Sequence, residues 1–321
     1  MQYLTAIILL NWNGSSDTIG CLDSLQAVQG NFCVVVADNG STDDSLDRLY
    51  SYKQKSDIRI HILPLGNNYG FAKGNNLAIK YAQEKIAPDR YLLLNNDTVV
   101  TPDFLAQLQK SETAHPDYKV FTPRINYWYD KNLVWLCGGR LGFGTRKPFF
   151  RNRNSQTTSL PDFLPVSFVS GCALYCPASF VDKDGKLLTE RFFFGEEDYD
   201  FSLRMKKEGV CMACVTTSVI YHKVGSSISA DDKTRLGRWY MYYLGRLICA
   251  RQYYCRFSFF LIRTVSCLNA ARYFKKCLNS WKDALNISSR LMSEAKTKNG
   301  ISYADFRSLV VEHDYHSKRH P

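Results

Sequence analysis

A short apolar run ends on three polar residues, Asn95, Asn96 and Asp97. Open α/β sheets bind ligands at the carboxyl ends of their strands, so an acid at such an end is a candidate binding residue. Carboxylate and amide oxygens suit Mg²⁺ or Mn²⁺, which often share carboxylates with substrate phosphates. We therefore interpret this segment as a candidate site for a metal ion and a diphosphate. The alternative is structural, with Asp97 capping a helix that begins at Pro102.

A second acidic cluster lies at positions 196–200, after three phenylalanines, and opens a predicted helix. The helix dipole stabilises carboxylates at this end, which accounts for one or two of the acids. Four acids in five positions oppose each other's ionisation, and the aromatic rings can desolvate one of them. Such an arrangement is typical of a general base, for which Asp198 or Glu197 is the candidate.

Strands and helices alternate in the first half of the chain. The sequence predicts strands at 4–10, 32–37, 58–63 and 91–94, and helices at 17–28 and 71–84. This order predicts an α/β fold with a mostly parallel central sheet and helices on both faces. Ser15 and Ser16 are candidate caps of the first helix, and Asp38 ends the second strand.

The second half is less regular. Segment 127–164 is rich in Gly, Arg and Asn, and we expect a flexible loop near the substrate there. Strand character returns at 166–176. A helix is predicted at 197–208, with Gly209 in the position that favours a left-handed residue after the helix.

The 321 residues are 45% hydrophobic, which is enough for one large or two modest domains. The eleven cysteines are irregularly spaced, and no signal peptide is recognised. We therefore expect reduced thiols and a cytoplasmic protein. Two close cysteine pairs resemble zinc ligands, but no second well-spaced set completes a four-ligand site.

The net charge of +11 is concentrated between Lys233 and Lys282, where eleven Lys or Arg and no Asp or Glu occur among many aromatic residues. Basic and aromatic residues on helical spacing favour contact with an anionic membrane surface or an anionic lipid-linked substrate. Basic residues interrupt every apolar run, so no run can span a bilayer. The alternatives are packing onto the rest of the protein and, less favoured, nucleic-acid binding.

Seven segments between about Thr5 and Ser227 resemble, in order, those of the inverting family 2 glycosyltransferases with the GT-A fold. The segments are 7–14, 36–43, 68–76, 95–98, 170–173, 193–204 and 221–222. A bacterial rhamnosyltransferase-like branch is the most similar. The resemblance implies a catalytic domain at 1–228, with a nucleotide-sugar half at 1–100 and an acceptor half at 101–228. A basic aromatic helical region at 229–321 follows.

The resemblance also implies roles for single residues. Asp198 would be the catalytic base, supported by Glu197, and Asp97 would bind Mg²⁺ or Mn²⁺. His222 would bind the same metal ion or contact the diphosphate, unless it is structural. Asn95 replaces the first aspartate of the family's metal-binding motif. The residues assigned to the nucleotide sugar are Asn11, Asn13, Asp38, Asn39, Gly70, Lys73, Asn76, Asn95, Asn96, Asp97 and Arg204, the last with a structural ion pair as its alternative. Those assigned to the acceptor are Gly171, Cys172 and Glu196.

The implied activity is metal-dependent transfer of a sugar, with inversion, to a lipid-linked or growing cell-surface polysaccharide. L-Rhamnose from dTDP-rhamnose is the first choice of donor, and a UDP-linked hexose or N-acetylhexosamine fits the same residues. A nicotinamide dehydrogenase needs a glycine-rich turn after its first strand, and segment 11–15 has one glycine. A non-catalytic module that binds polysaccharide or membrane is the other alternative.

The expected location is the cytoplasm, peripherally on the inner face of the cell membrane. We expect no nucleic-acid partner, and the C-terminal helices are a candidate surface for a homodimer.

Overall fold

The computed structural model describes residues 3–223 and 232–312. The strands are β1 (Thr5–Asn11), β2 (Phe32–Asp38), β3 (Ile60–Pro64), β4 (Arg90–Leu94), β5 (Thr98–Val100), β6 (Tyr118–Tyr127), β7 (Val134–Leu136), β8 (Gly139–Leu141), β9 (Arg146–Pro148), β10 (Phe163–Val166), β11 (Ala173–Pro177) and β12 (Cys211–His222). The α-helices are α1 (Ser15–Leu25), α2 (Ser45–Lys53), α3 (Phe71–Lys85), α4 (Phe104–Ala114), α5 (Glu197–Lys207), α6 (Asp232–Tyr253), α7 (Arg256–Leu278), α8 (Trp281–Thr297) and α9 (Tyr303–Phe306).

One large sheet has the strand order β10-β12-β6-β11-β4-β1-β2-β3, with β5 paired to β12 and β7 to β6. Strands β1 to β4 are parallel neighbours, as the alternation of strands and helices predicts. Strand β11 then runs antiparallel to both β4 and β6, and β12 is parallel to β6 but antiparallel to β5 and β10. The predicted α/β fold is confirmed, although the sheet is mixed because β5, β10 and β11 run antiparallel to their neighbours.

The central strands are covered on both faces. The β1 residues Ala6 to Leu9 and the β2 residues Cys33 to Ala37 are fully buried. Strands buried on both sides are apolar throughout, and this explains why these runs do not alternate with polar residues. The register pairs Asn11 with Asp38, so both side chains lie at the carboxyl edge of the sheet.

Local signals were correct at some element ends and wrong at others. Helix α5 ends as predicted, and Gly209 has φ +72°. Helix α1 begins earlier than predicted, with Gly14 at its N-cap and no side-chain cap, so Ser15 lies inside the helix. The predicted strand at 166–176 is two strands, β10 and β11, because a turn at 170–172 separates them.

The C-terminal helices share a core with the sheet. Tyr240 and Leu244 of α6 belong to the same buried hydrophobic cluster as Tyr199 of α5 and Leu92 of β4. The predicted boundary between 228 and 229 lies outside the described residues, and the division there stays a prediction. Among the described residues, no helix combines the length and apolarity needed to cross a bilayer.

Candidate active site

A chain of hydrogen bonds joins the carboxyl ends of three parallel strands. Asn96 Nδ2 donates to Thr18 Oγ1 (2.9 Å), and the Thr18 hydroxyl donates to Asn11 Oδ1 (2.7 Å). Asn11 Nδ2 in turn donates to Asp38 Oδ2 (2.7 Å), which also accepts from Ser41 Oγ (2.6 Å). The structure therefore brings Asn11, Asp38 and Asn96 together, and the buried Asn11 acts by fixing the Asp38 carboxylate.

The turns beside Asp38 are held by asparagines. Asn13 Oδ1 accepts from the Thr42 backbone (2.8 Å), and Asn39 Oδ1 accepts from the Tyr69 backbone (3.0 Å). Asn39 Nδ2 donates to the Gly70 carbonyl (3.3 Å). These contacts place the turn before α3 against the end of β2.

Gly70 and Lys73 begin helix α3 beside that turn. Gly70 has φ +80°, and a Cβ there would lie 2.1 Å from the Phe193 carbonyl oxygen, so only glycine fits. The Lys73 ammonium lies 4.7 Å from the centre of the Tyr69 ring and is half-buried.

Strand pairing brings Asp97 next to His222, although 125 positions separate them in the chain. Strand β12 runs antiparallel to β5 with His222 opposite Thr98. His222 Nε2 then lies 3.1 Å from Asp97 Oδ1, close enough for an ion pair, yet the alignment is not that of a hydrogen bond. The tip of β4 is fixed separately, since the Asn95 backbone donates to the Cys172 carbonyl (2.8 Å).

Opposing effects act on His222. Burial lowers the pKa of the imidazole, but the neighbouring Cys172 thiol and the Asp97 carboxylate favour the charged form and raise the pKa to about 10. A cation is therefore favoured at this position, either as the imidazolium or as a bound metal ion.

The Asp97 and His222 donors fit a divalent metal ion that is shared with a substrate. Asp97 Oδ1 and His222 Nε2 lie 3.1 Å apart, so both atoms are close enough to contact one ion. No group of three or more His, Cys, Asp or Glu suited to a metal ion occurs in residues 3–223 and 232–312. Mg²⁺ or Mn²⁺ held by this pair would need further oxygen ligands from water and a diphosphate, as is usual for Mg²⁺. Within the described part of the chain, the Asn95 side chain forms no hydrogen bond that ties it to this pair.

The acidic cluster is neutralised by arginines from three other segments. Asp198 Oδ1 accepts from Arg146 Nη1 (2.9 Å), and Asp200 pairs with Arg191. Glu196 is buried between Arg146 Nη2 (3.6 Å) and Arg246 Nε (3.1 Å). Three of the four acids are thus balanced by arginines, and the fourth, Glu197, is not.

Glu197 forms no ion pair among the described residues, and its Oε2 is buried without a hydrogen-bond partner. Burial, and next the negative charge of Asp198, raise the pKa of Glu197 from its ordinary 4.5 to about 8. Burial thus favours the protonated form of Glu197, whereas Asp198 is held by its hydrogen bond from Arg146.

The turn between β10 and β11 lies between Asp198 and the Asp97–His222 pair. A Cβ built on Gly171 would lie 3.8 Å from Asp198 Cβ and 3.2 Å from Phe71 Cε1. The next residue, Cys172, is buried with its thiol beside His222. Two consecutive residues of one turn thus lie against Asp198 and His222, which brings these two side chains into one site.

Three predicted ligands have other roles in the structure. Asn76 uses its amide on the backbone of Leu187 and Leu188 and on Glu190. Arg204 donates to the Leu187 carbonyl, and Glu196 is occupied by its two arginines. The polar groups of these three residues are therefore used within the fold, as those of Asn11, Asp38 and Asn39 also are.

Arg146 and Arg246 are the residues that the sequence did not reveal. Burial opposes the charge of Arg146, but the Asp198 and Glu196 carboxylates outweigh it and raise its pKa above the ordinary value. The irregular segment 127–164 was expected near the substrate, yet nothing local marks Arg146 within it. Arg246 is one of many basic residues of its segment, and its pairing with Glu196 depends on the packing of α6.

Comparisons with known proteins show that this chain is similar to glycosyltransferases. Residues 6–174 match the family described as Glycosyl transferase family 2. The low-salt glycan biosynthesis hexosyltransferase Agl10 of Haloferax volcanii is 24% identical over 246 residues, covering 74% of this chain and 72% of that protein.

Two solved structures are similar in fold. A mannosyltransferase, PcManGT from Pyrobaculum calidifontis, in complex with GDP-Man and Mn²⁺, has a TM-score of 0.58 and 12% identity, covering 98% of this chain and 85% of that one. S. aureus TarS 1-349 has a TM-score of 0.51 and 15% identity, covering 97% and 90% of the two chains. These likenesses confirm the GT-A type fold. Because the family match covers more than half of the chain, the protein belongs to glycosyl transferase family 2.

Proposed function

We propose that this glycosyltransferase moves one sugar from a nucleotide-diphosphate donor to an acceptor hydroxyl in a single inverting displacement, with Asp198 as the base. The observation that carries the proposal is the turn at 170–172, with Gly171 against Asp198 and Cys172 beside the Asp97–His222 pair. This arrangement supports one site in which a base and a diphosphate-binding group act on the same sugar.

Asp198 would accept the proton of the acceptor hydroxyl as its oxygen attacks the anomeric carbon from the face opposite the leaving nucleoside diphosphate. Arg146 orients the Asp198 carboxylate through the 2.9 Å hydrogen bond and leaves its second oxygen for the hydroxyl. A single base is sufficient because the leaving diphosphate is already a stabilised anion, unlike the leaving group of a glycosidase.

Asp97 and His222 would hold Mg²⁺ or Mn²⁺, which neutralises the charge that develops on the leaving diphosphate. The 3.1 Å separation of Asp97 Oδ1 and His222 Nε2 supports this assignment, because both atoms could contact one ion. The similar mannosyltransferase structure contains Mn²⁺, which is consistent with it.

The donor is proposed as dTDP-L-rhamnose, on the resemblance of the motifs to a rhamnosyltransferase-like branch. A UDP-linked hexose or N-acetylhexosamine is the alternative, and the relative of H. volcanii is a hexosyltransferase. Asp38 would contact the nucleotide base. Asn13, Asn39 and Gly70 lie on the turns around it, and Lys73 lies in the first turn of α3. The proposed acceptor is a lipid-linked or growing cell-surface polysaccharide at the inner face of the membrane.

Calorimetric titration with a panel of nucleotide sugars, in Mn²⁺ and in excess chelator, tests the donor and the metal together. We expect one donor to bind in Mn²⁺ and to bind at least about tenfold more weakly in chelator, since charge-assisted contacts are lost. Asp97→Asn should remove this metal dependence, whereas Asp184→Asn, an exposed control, should keep it. Equal transfer by the wild type in Mn²⁺ and in chelator would disprove metal dependence.

A further inference from the structure

The outer face of helix α7 is apolar although it is exposed to solvent. Phe257 and Val265 are 72% and 57% exposed, and three further apolar residues on this face are between 38% and 56% exposed. The exposed apolar residues of this face are Phe257, Phe260, Leu261, Val265 and Leu268. Their spacing of three or four residues places them on one stripe of the helix. We call this set the α7 stripe.

The opposite side of α7 is used for packing. Ile262, Cys267, Ala270 and Phe274 are buried in the hydrophobic cluster that includes α6 and α8. The helix therefore has two apolar sides, and only one of them is covered by this chain.

The charged residues of α7 itself have one sign. Arg256, Arg272 and Lys276 are exposed on the same helix, and no Asp or Glu occurs between Lys233 and Lys282. Exposed aromatic and aliphatic side chains on a helix whose charged residues are all cations match the interface of an anionic bilayer.

We propose that the α7 stripe inserts into the headgroup region of an anionic membrane, with α7 lying parallel to the surface. The stripe extends over about 17 Å at 1.5 Å per residue, too short to cross a bilayer but suited to lying in its interface. Arg256 at one end and Arg272 and Lys276 at the other would reach lipid phosphates.

A second copy of the chain fits this face less well. Pairing two α7 stripes, in either direction, brings Arg256, Arg272 or Lys276 of one copy close to the same cations of the other. Like charges that face each other weaken such an interface, whereas anionic lipid neutralises them.

Helix α6, the other part of the basic aromatic segment, is a packing element. Tyr240 and Leu244 are buried, Trp239 stacks on Tyr273 with ring centres 4.6 Å apart, and Arg246 is paired with Glu196. The membrane contact expected for the whole segment is thus narrowed to the outer face of α7.

The α7 stripe lies on the helix that supports the hairpin of β8 and β9, in which Arg146 begins the second strand. Tyr254 Oη donates to the Gly142 carbonyl (2.9 Å), and a Cβ on Gly144 would lie 2.4 Å from Ile262 Cγ2. The exposed Phe143 of this hairpin lies edge-on to Tyr254, with ring centres 5.7 Å apart. Membrane contact would therefore hold the Arg146–Asp198 pair near the surface that carries a lipid-linked acceptor, a consequence that rests on the proposed function.

Vesicle sedimentation of the full chain tests the contact without any turnover. We expect binding to vesicles of phosphatidylglycerol and phosphatidylcholine, weak binding to phosphatidylcholine alone, and a decrease with salt. Phe257→Ser with Phe260→Ser should weaken binding by about tenfold or more, because interfacial affinity scales with the buried apolar area. The control double variant, Tyr50→Ser with Tyr129→Ser, removes exposed aromatics elsewhere and should bind as the wild type does.

Unchanged binding by the Phe257/Phe260 variant, or equal binding to both kinds of vesicle, would overturn the proposal. So would sedimentation velocity in which the wild type is a dimer and this variant a monomer, because the stripe would then be a subunit interface. Thermal melts check that both double variants are folded. If the protein binds membranes but transfers no sugar, the proposed function is wrong and the proposal that the α7 stripe contacts the membrane still holds.

Discussion

Glu197 and Asp198 are adjacent carboxylates with different surroundings. Asp198 is oriented by Arg146, while Glu197 is buried with Oε2 lacking a partner among the described residues. Substituting each residue in turn can therefore distinguish their roles. Asp198→Asn should lower kcat by at least about 10²-fold, the effect of losing a general base.

Donor affinity, measured by calorimetry, should be unchanged in Asp198→Asn, because the Asp97–His222 pair proposed to bind the diphosphate through a metal ion is intact. The matched variant Glu197→Gln keeps shape and hydrogen-bonding capacity and should retain most of the turnover. An inactive Glu197→Gln beside an active Asp198→Asn would show that the base is Glu197.

The raised pKa of Glu197 also predicts a pH dependence of stability. Between its ordinary 4.5 and the folded value of about 8, the unfolded chain has released this proton and the folded chain has kept it. The free energy of unfolding should therefore fall as the pH rises through this window, because the folded state binds more protons. Urea unfolding at pH 5 and pH 8 measures the fall, and Glu197→Gln should reduce it. An identical pH dependence in both proteins would contradict the assignment.

At the scale of elements, helix α6 supports the acidic turn before α5. Glu196 is a non-glycine residue with φ +68°, a strained conformation that its surroundings must hold. Arg246 binds its carboxylate and lies 4.5 Å from the ring centres of both Tyr199 and Tyr242. A Cβ on Gly245 would lie 3.1 Å from Glu196 Cγ, so the α6 backbone also approaches closely.

Arg246→Met should therefore cost about 3 kcal/mol of unfolding free energy or more, as for the loss of one partner of a buried pair. Glu196→Gln combined with Arg246→Met should recover part of the loss, since no unbalanced charge remains there. Denaturant unfolding of the single and double variants measures this coupling. If the losses of unfolding free energy in the two single variants add up to the loss in the double variant, the Glu196–Arg246 pair does not hold the turn.

At the scale of the whole molecule, the C-terminal helices belong to the same packed body as the sheet. Tyr240, Leu244 and Phe274 share a hydrophobic cluster with strand residues, and Arg246 reaches the acidic turn. The excess charge of the segment is thus partly buried, and the exposed part lies along α7. The predicted vesicle binding depends on this division between a buried and an exposed helix.

The sequence by itself determined the parallel half of the sheet and the acids at its edge. Apolar runs such as Tyr91–Leu94 are local signals, and parallel strands place their carboxyl ends at one edge. Asp38 and Asp97 could therefore be placed at that edge of the sheet without coordinates. Gly209 was predictable for the same local reason. The seven motifs, read in order, led to the family that the comparison confirmed.

Only the tertiary structure decided which polar groups remain available. Asn76, Arg204 and Glu196 have the residue types of ligands, yet each is used by partners far along the chain. Arg146 and Arg246 were missed because an ion pair between distant segments leaves no local pattern. Likewise α6 and α7 have similar compositions, and which helix exposes its apolar side depends on what packs against it, a property of the folded chain rather than of either helix.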